Sequence, residues 1–232
     1  MFGTAKRRTF TPEEFGQLLA VTAPFYRDHF VTHVGTGLRC GELLGLHARR
    51  VNLDAGRLEV LDVRYDAGKF GSGYKARPKS DTSIRAVPMA PAVIEAVRRR
   101  LLGCPPDGLV FCGPGGSSGV PRGARSKLSI TNYRRVYKIA GQRAELGQLQ
   151  LKGPYDLRHT FATWLEDAGI PARVIDELMG HQGGRGATRE GSAVGARYRH
   201  TTEDAHARVL AAIEERLAVA LACVPPCAPN VP

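Results

Sequence analysis

The feature that most constrains this chain is its helix punctuation. Apolar stripes at helical spacing recur along it, several opened by a capping residue or a proline and several closed by a glycine. Thr11-Pro12-Glu13-Glu14 reads as a helix start. Thr11 caps, Pro12 takes the first helical position, and Glu14 closes a capping box ahead of Phe15, Leu18 and Leu19. A second helix is expected from about Phe25 to Val34, broken by Thr36-Gly37, and a short one from about Cys40 to Leu46. Pro91 opens another, to about Leu102, and a basic helix follows from Ser129 to about Gln142. Asp156 to Ala168 is helical, with Leu157, Phe161 and Leu165 on one face and Gly169 ending it. Pro171 starts a short helix closing at Gly180, and Glu203 to Ala222 forms the last, with Val209, Ile213, Leu217 and Ala220 on one side. The rhythm breaks between Leu58 and Met89. Leu58, Val60, Leu61 and Val63 make one strand candidate and Ile84, Val87 and Met89 another, with Gly68, Gly71 and Gly73 in loops between. The pattern is mainly α with a small antiparallel β-sheet, an α+β class.

Size and composition narrow the rest. With 232 residues, 43% of them hydrophobic, the chain can bury one sizeable core. No apolar run nears the roughly 20 residues that span a bilayer, and basic Met1 to Phe10 lacks the apolar stretch of a signal peptide. A cytoplasmic protein is the expectation. Five scattered cysteines, Cys40, Cys104, Cys112, Cys223 and Cys227, argue against a disulfide framework, and no metal site is expected. Gly113 to Gly123 reads as a loop, and residues 223–232 as a Pro-rich flexible tail.

Charge is the first pointer to chemistry. The net charge is +11, unevenly spread. Residues 122–143 carry Arg122, Arg125, Lys127, Arg134, Arg135, Lys138 and Arg143 without a single acid. Such clustering suits a polyanion, because each cation that neutralises a phosphate releases a condensed counterion. The alternative is a solvated basic surface; if the partner is a nucleic acid, Arg122, Arg125, Lys127, Arg134, Arg135 and Lys138 are the candidate contacts.

Four stretches, in order, carry a more specific signal: Thr36-Gly-Leu-Arg-Cys-Gly-Glu-Leu-Leu-Gly-Leu46, Pro78-Lys-Ser-Asp-Thr-Ser-Ile-Arg-Ala-Val-Pro88, Tyr155-Asp-Leu-Arg-His-Thr-Phe-Ala-Thr163, and Leu178-Met-Gly-His181 followed by Arg197-Tyr-Arg-His200. The series resembles the signature of the tyrosine recombinases, the phage integrase family, from Thr11 to about Ala222. That resemblance implies their catalytic-domain fold over residues 1–222. It also implies site-specific cleavage and rejoining of double-stranded DNA through a covalent 3′-phosphotyrosine. Arg39 and Arg158 match the two catalytic arginines, Lys79 the hairpin lysine, His181 the active-site histidine and Tyr198 the nucleophile. Glu42 matches an acid that orients the first arginine, and His159 is read as structural. Neither cofactor nor metal is implied, and relatives of this type act as four protomers on two duplexes.

The chemistry fits those residue types. Phenolate attack on a phosphodiester gathers negative charge on the non-bridging oxygens, and two guanidiniums present paired donors to it while staying protonated. Donors placed where charge develops are worth about 3–4 kcal/mol each. A lysine can protonate the leaving 5′-oxygen, and histidine can exchange the tyrosine proton or hold a phosphate oxygen. The sequence departs from the family in three ways. Tyr155 stands where the family usually has histidine; it either donates to the phosphate or packs beside Arg158. The stretch from His181 to Tyr198 is longer than in many relatives, so Tyr198 is expected to be disordered or turned away without DNA. The N-terminal core-binding domain of full-length relatives is not in this chain, so a fragment of a longer integrase is expected. Two alternatives stay open: type IB topoisomerase-like relaxation, and a DNA-binding regulator that has lost activity. The last helix is expected either on its own core or docked onto a neighbour.

Overall fold

The computed structural model describes residues 8–61, 63–66, 72–75, 84–115, 124–181 and 203–225. Eight α-helices are described: α1 (Pro12–Val21), α2 (Pro24–Thr36), α3 (Cys40–Leu44), α4 (Pro91–Leu101), α5 (Ile130–Arg143), α6 (Tyr155–Asp167), α7 (Ala172–Met179) and α8 (Glu203–Ala222). The strands are β1 (Val51–Asn52), β2 (Arg57–Val60), β3 (Val63–Asp66), β4 (Ser72–Lys75) and β5 (Arg85–Pro88).

The caps read from sequence hold. Thr11 accepts from the Glu14 amide, and Glu14 returns the bond to the Thr11 amide, with Pro12 at the first turn. The structure adds a cap not named from sequence: Ser129 accepts from the Asn132 amide at the start of α5. Helix α2 stands in the middle, buried along Asp28 to Thr36, and packs against α4 and α6. Leu157, Phe161, Trp164 and Leu165 of α6 are buried, and the Trp164 indole donates to the Phe10 carbonyl at 2.8 Å. Helix α8 docks in cis: Val209, Ile213, Leu217 and Ala220 are at most 2% exposed, against α1, α6 and α4. Full burial of such side chains contributes about 1.5–3 kcal/mol each for the larger ones, enough to hold this helix on its own core.

The β region differs from the sequence reading. The single strand expected over Leu58 to Val63 is two, because the chain leaves one sheet after Val60 and enters another at Val63. The first sheet has order β1-β2-β5, all antiparallel, with Leu58 opposite Val87 and Val60 opposite Arg85. The second pairs β3 with β4, Tyr65 opposite Gly73. Gly73, expected in a loop, therefore lies in a strand. Glycine's low strand propensity hid β4.

Candidate active site

Two glycine turns build the site. Gly37 closes α2 in the left-handed conformation, with φ +61. A Cβ there would lie 2.4 Å from the Phe161 ring, so only glycine fits. The chain then turns so that Arg39 precedes α3. Glu42 folds back on it: Oε2 accepts from the Arg39 amide at 2.8 Å, and Oε1 from the Arg39 guanidinium at 2.7 Å.

Gly180 is the second turn. It ends α7 with φ +64. The His181 amide bonds to the Asp176 carbonyl and the Gly180 amide to the Glu177 carbonyl, the paired closure of a Schellman motif. Such a terminus still leaves carbonyls without helical partners. Three arginines from three other elements supply them. Arg85 Nε donates to Leu178 at 2.6 Å, Arg158 Nη2 to Met179 at 2.7 Å, and Arg39 Nη2 to Gly180 at 3.1 Å. Helix dipoles favour cations at a C-terminus, by about 0.3–1 kcal/mol at exposed sites and ~2 in buried ones. The local geometry of α7 thus gathers the two arginines of the first and third motifs onto adjacent carbonyls.

Their settings differ. The Arg39 side chain is 39% exposed, whereas Arg158 is wholly buried. Arg158 also donates to the Gly37 carbonyl at 2.5 Å, and its Nη2 lies 3.0 Å from His181 Nε2. Burial first, and the neighbouring Arg39 charge next, lower its pKa to about 10, so it stays a cation at neutral pH. Its Nε is buried and has no hydrogen-bond partner among the described residues. His181 Nδ1 lies 2.9 Å from Asp176 Oδ1. The tautomer that satisfies both ring contacts carries the proton on Nδ1, donating to Asp176, and leaves Nε2 to accept from Arg158.

Glu42 is the electrostatic centre. Its side chain is 1% exposed and also meets Arg85, with Oε2 to Nη2 at 2.9 Å and Oε1 to Nη1 at 3.2 Å. Burial raises its pKa, but the Arg85 hydrogen bond and charge, with the Arg39 amide and guanidinium, outweigh that and hold the carboxyl below its ordinary value. Beside it, burial pushes the Cys40 thiol up to about 11, so it stays a thiol at neutral pH.

Helix α6 is anchored at its start by Asp156, which is fully buried. Its Oδ1 accepts from Arg8 Nη2 at 2.6 Å and Nε at 3.1 Å. Its Oδ2 accepts from the Lys152 and Gly153 amides at 2.6 and 2.9 Å and from the Tyr137 hydroxyl at 3.3 Å. This carboxylate ties α5, the loop before α6 and the N-terminal segment to the turn that carries Arg158. Tyr155, the first residue of α6, is 43% exposed and meets His159 edge-on with centroids 4.6 Å apart. His159 is partly buried. Its pKa is lowered by burial and then by Arg8, which favours the neutral ring.

The basic helix separates by face. Tyr133, Tyr137 and Ala140 of α5 are buried, while Arg134, Arg135 and Lys138 are exposed, as is Lys127 before the helix. Arg134 acts electrostatically on Cys40, beside Arg39, so this face adjoins the site. Arg125 is half-buried instead. Its guanidinium donates to the carbonyls of Arg100 and Val110 at 2.9 and 3.0 Å and to that of Leu109, bracing the chain.

The structure therefore brings together Arg39, Glu42, Arg158 and His181, with Tyr155 and His159 on the same helix as Arg158. Lys79, Arg122 and Tyr198 lie outside the described residues. Arg85 and Asp156 were missed by sequence reading, although both stand inside quoted motifs. A buried-charge criterion could not find them, since nothing in the linear pattern marks their burial. Among the described residues no group of His, Cys, Asp and Glu could hold a metal ion, and no helix is long and apolar enough to cross a membrane.

Comparison with known proteins places these features. The tyrosine recombinase XerC of Pelobacter propionicus is 30% identical over 151 residues, 65% of this chain and 41% of its own length. Tyrosine recombinase XerA of Thermococcus kodakarensis is 30% identical over 177 residues, 75% of this chain and 54% of its own. The chain thus spans about half the length of such relatives. The Tn1549 transposon integrase, solved with transposon right end DNA, matches with TM-score 0.62 at 22% identity, covering 94% of this chain and 69% of that one. A XerA recombinase crystal structure matches with TM-score 0.59 at 21% identity, covering 88% of this chain and 63% of that one. Residues 8–202 match the phage integrase family, most of the chain, with the glycine turns, arginines and histidine of the site inside the match, and the chain belongs to that family.

Proposed function

We propose that this chain cleaves and rejoins double-stranded DNA at specific sites through a 3′-phosphotyrosine on Tyr198. The convergence of Arg39, Arg158 and His181 at the end of α7 carries the reading. Arg39 offers an exposed guanidinium to a phosphate oxygen. Arg158 lies beneath His181 with an Nε that has no partner among the described residues, and a buried donor of that kind calls for an acceptor. In the proposed complex a phosphate oxygen takes the place of His181 Nε2 at Arg158. The Tyr198 oxygen forms the new bond to phosphorus as the bond to the 5′-oxygen breaks. His181 exchanges the phenolic proton, and Lys79 protonates the leaving oxygen. The phosphotyrosine conserves the bond energy for religation, which reverses these steps.

Tyr155 cannot become a cation, so it stands in this scheme as a hydrogen-bond donor at the edge of the phosphate site. Lys127, Arg134, Arg135 and Lys138 line the duplex backbone. Lambda integrase has been solved as a tetramer bound to a Holliday junction, and we extend that assembly, four protomers on two duplexes, to this chain.

A duplex nicked near the cleavage site traps the intermediate, because the short leaving strand diffuses away. The chain should become covalently attached to it, and Tyr198→Phe should abolish the adduct. Attachment that survives in Tyr198→Phe but disappears in Tyr155→Phe would transfer the nucleophile to Tyr155. Relaxation of supercoiled plasmid without strand exchange between two sites would favour the topoisomerase reaction.

A further inference from the structure

Arg85 is a buried charge that the proposed chemistry does not use. It lies on β5 with its side chain 6% exposed. Its guanidinium spans two structures that sequence separates widely. On one side both terminal nitrogens meet the two Glu42 oxygens. On the other, Nε donates to the Leu178 carbonyl. It also fills the space beside Gly180, where an added Cβ would lie 2.9 Å from Nη1. Arg39 depends on the same two structures, since it is held by Glu42 and by the Gly180 carbonyl. Arg158 and His181 draw their contacts from the same end of α7.

We propose that Arg85 is a positioning residue for DNA cleavage: it holds Glu42 aimed at Arg39, and it locks the α7 terminus on which Arg39, Arg158 and His181 are arranged. Lysine could keep the charge but not this geometry, because one ammonium cannot span a carboxylate edge and a carbonyl on its far side. Arg85 is the largest of the positive partners that oppose the effect of burial on Glu42. The other groups around it are Arg39 on its own turn, Arg158 on α6, His33 on α2 and the Cys40 thiol. His33 is buried and neutral, Cys40 is a thiol, and Arg158 is already engaged by backbone carbonyls.

The inference rests on the cleavage reading above, and its test separates the two. Single-turnover cleavage of the nicked duplex is measured at saturating DNA from pH 5 to 9 for the whole chain, Arg85→Lys and Arg85→Met, with DNA affinity in parallel. Affinity should stay within about threefold, since α5 rather than Arg85 faces the duplex backbone. Cleavage should fall roughly 10–100-fold in Arg85→Met, the usual loss when a supporting partner is removed, with partial recovery in Arg85→Lys. The acid limb of the rate profile should move to higher pH in Arg85→Met, because burial then raises the Glu42 pKa with less opposition. A general folding defect would lower the rate equally at every pH, and that outcome overturns the proposal. So does an unchanged rate. If Arg85→Met fails to fold, Arg85→Lys and Glu42→Gln carry the test. Their losses should combine to less than their product, and fully multiplicative losses would show that Arg85 does not act through Glu42. If the unaltered chain forms no adduct, the cleavage reading fails. The nitrogen resonances of the Arg39 guanidinium still judge Arg85: they should move in Arg85→Lys, and unmoved resonances overturn the positioning role.

Discussion

The end of α7 and the outer face of α5 are both rich in arginine, yet they place charge in opposite physical situations. At α7, Arg85 and Arg158 are buried and Arg39 is partly so, each spent on a backbone carbonyl, with Glu42 neutralising from below. On α5, Arg134, Arg135 and Lys138 stand in solvent. Buried charge is costly unless paired, and once paired it is fixed in place. Exposed charge is cheap, mobile and screened by salt. On the proposed function, the first region would set rate and the second affinity: preorganised donors lower a barrier, and solvated cations gather phosphates.

Substitutions can break that division. The largest effect should come from Glu42→Ala, which strands Arg85 in the interior. Breaking a buried pair costs about 3–5 kcal/mol, so urea denaturation should show a loss of that order; a loss below about 1 kcal/mol would mean that solvent reaches Arg85. Arg39→Ala should lower single-turnover cleavage about 10²–10³-fold, equivalent to roughly 3–4 kcal/mol, with DNA affinity little changed. An affinity loss as large as the rate loss would dissolve the distinction between the regions.

The inner face of α5 gives a third test. Its Tyr133 hydroxyl lies 3.0 Å from His33 Nδ1, and His29 Nε2 lies 3.0 Å from the Cys112 carbonyl. Both histidines are fully buried, and burial lowers each pKa from 6.5 to about 3. The unfolded chain binds their protons first as pH falls. Stability should therefore be level above about pH 6.5 and decline from there toward pH 3, by up to about 1.4 kcal/mol per pH unit for each imidazole. His33→Gln should flatten part of that slope in acid titrations followed by circular dichroism; an unchanged slope would place the proton uptake elsewhere. The smallest effects belong to the outer face. Arg134→Ala, Arg135→Ala and Lys138→Ala should each reduce the slope of log affinity against log salt by about 0.9. Each should alter stability by less than about 0.5 kcal/mol and leave the rate at saturating DNA unchanged. Slopes that do not move would remove α5 from the DNA interface.

The helices and their caps were readable because their signals are local. Thr11 and Glu14 lie within one turn of each other, and Gly180 ends α7 by a conformation that its own missing Cβ permits. The sheets were harder. Leu58, Val60, Leu61 and Val63 look like one apolar run, but a strand that changes partner leaves no mark in composition, and Gly73 disguises β4. Arg39, Arg158 and His181 were legible from motif order. Arg85 was not, since Glu42 is 43 positions away and Leu178 is 93. Asp156 was missed for the same reason, with Arg8 lying 148 positions off. Arg125 shows the opposite limit, because a basic run does not tell which guanidiniums will find backbone carbonyls.

By itself, the amino-acid order determined the family, the mainly helical class, the capped ends of the helices and the residue types able to handle a phosphodiester. Those properties depend on neighbours within a few positions or on motifs kept in sequence. Only tertiary structure decided that Arg158 is roofed by His181, that Glu42 serves two arginines, and that three guanidiniums share the terminus of α7. The reason is desolvation: whether a charge is a solvated ornament or a fixed part of the site depends on what packs over it, and that packing comes from segments far apart in the chain.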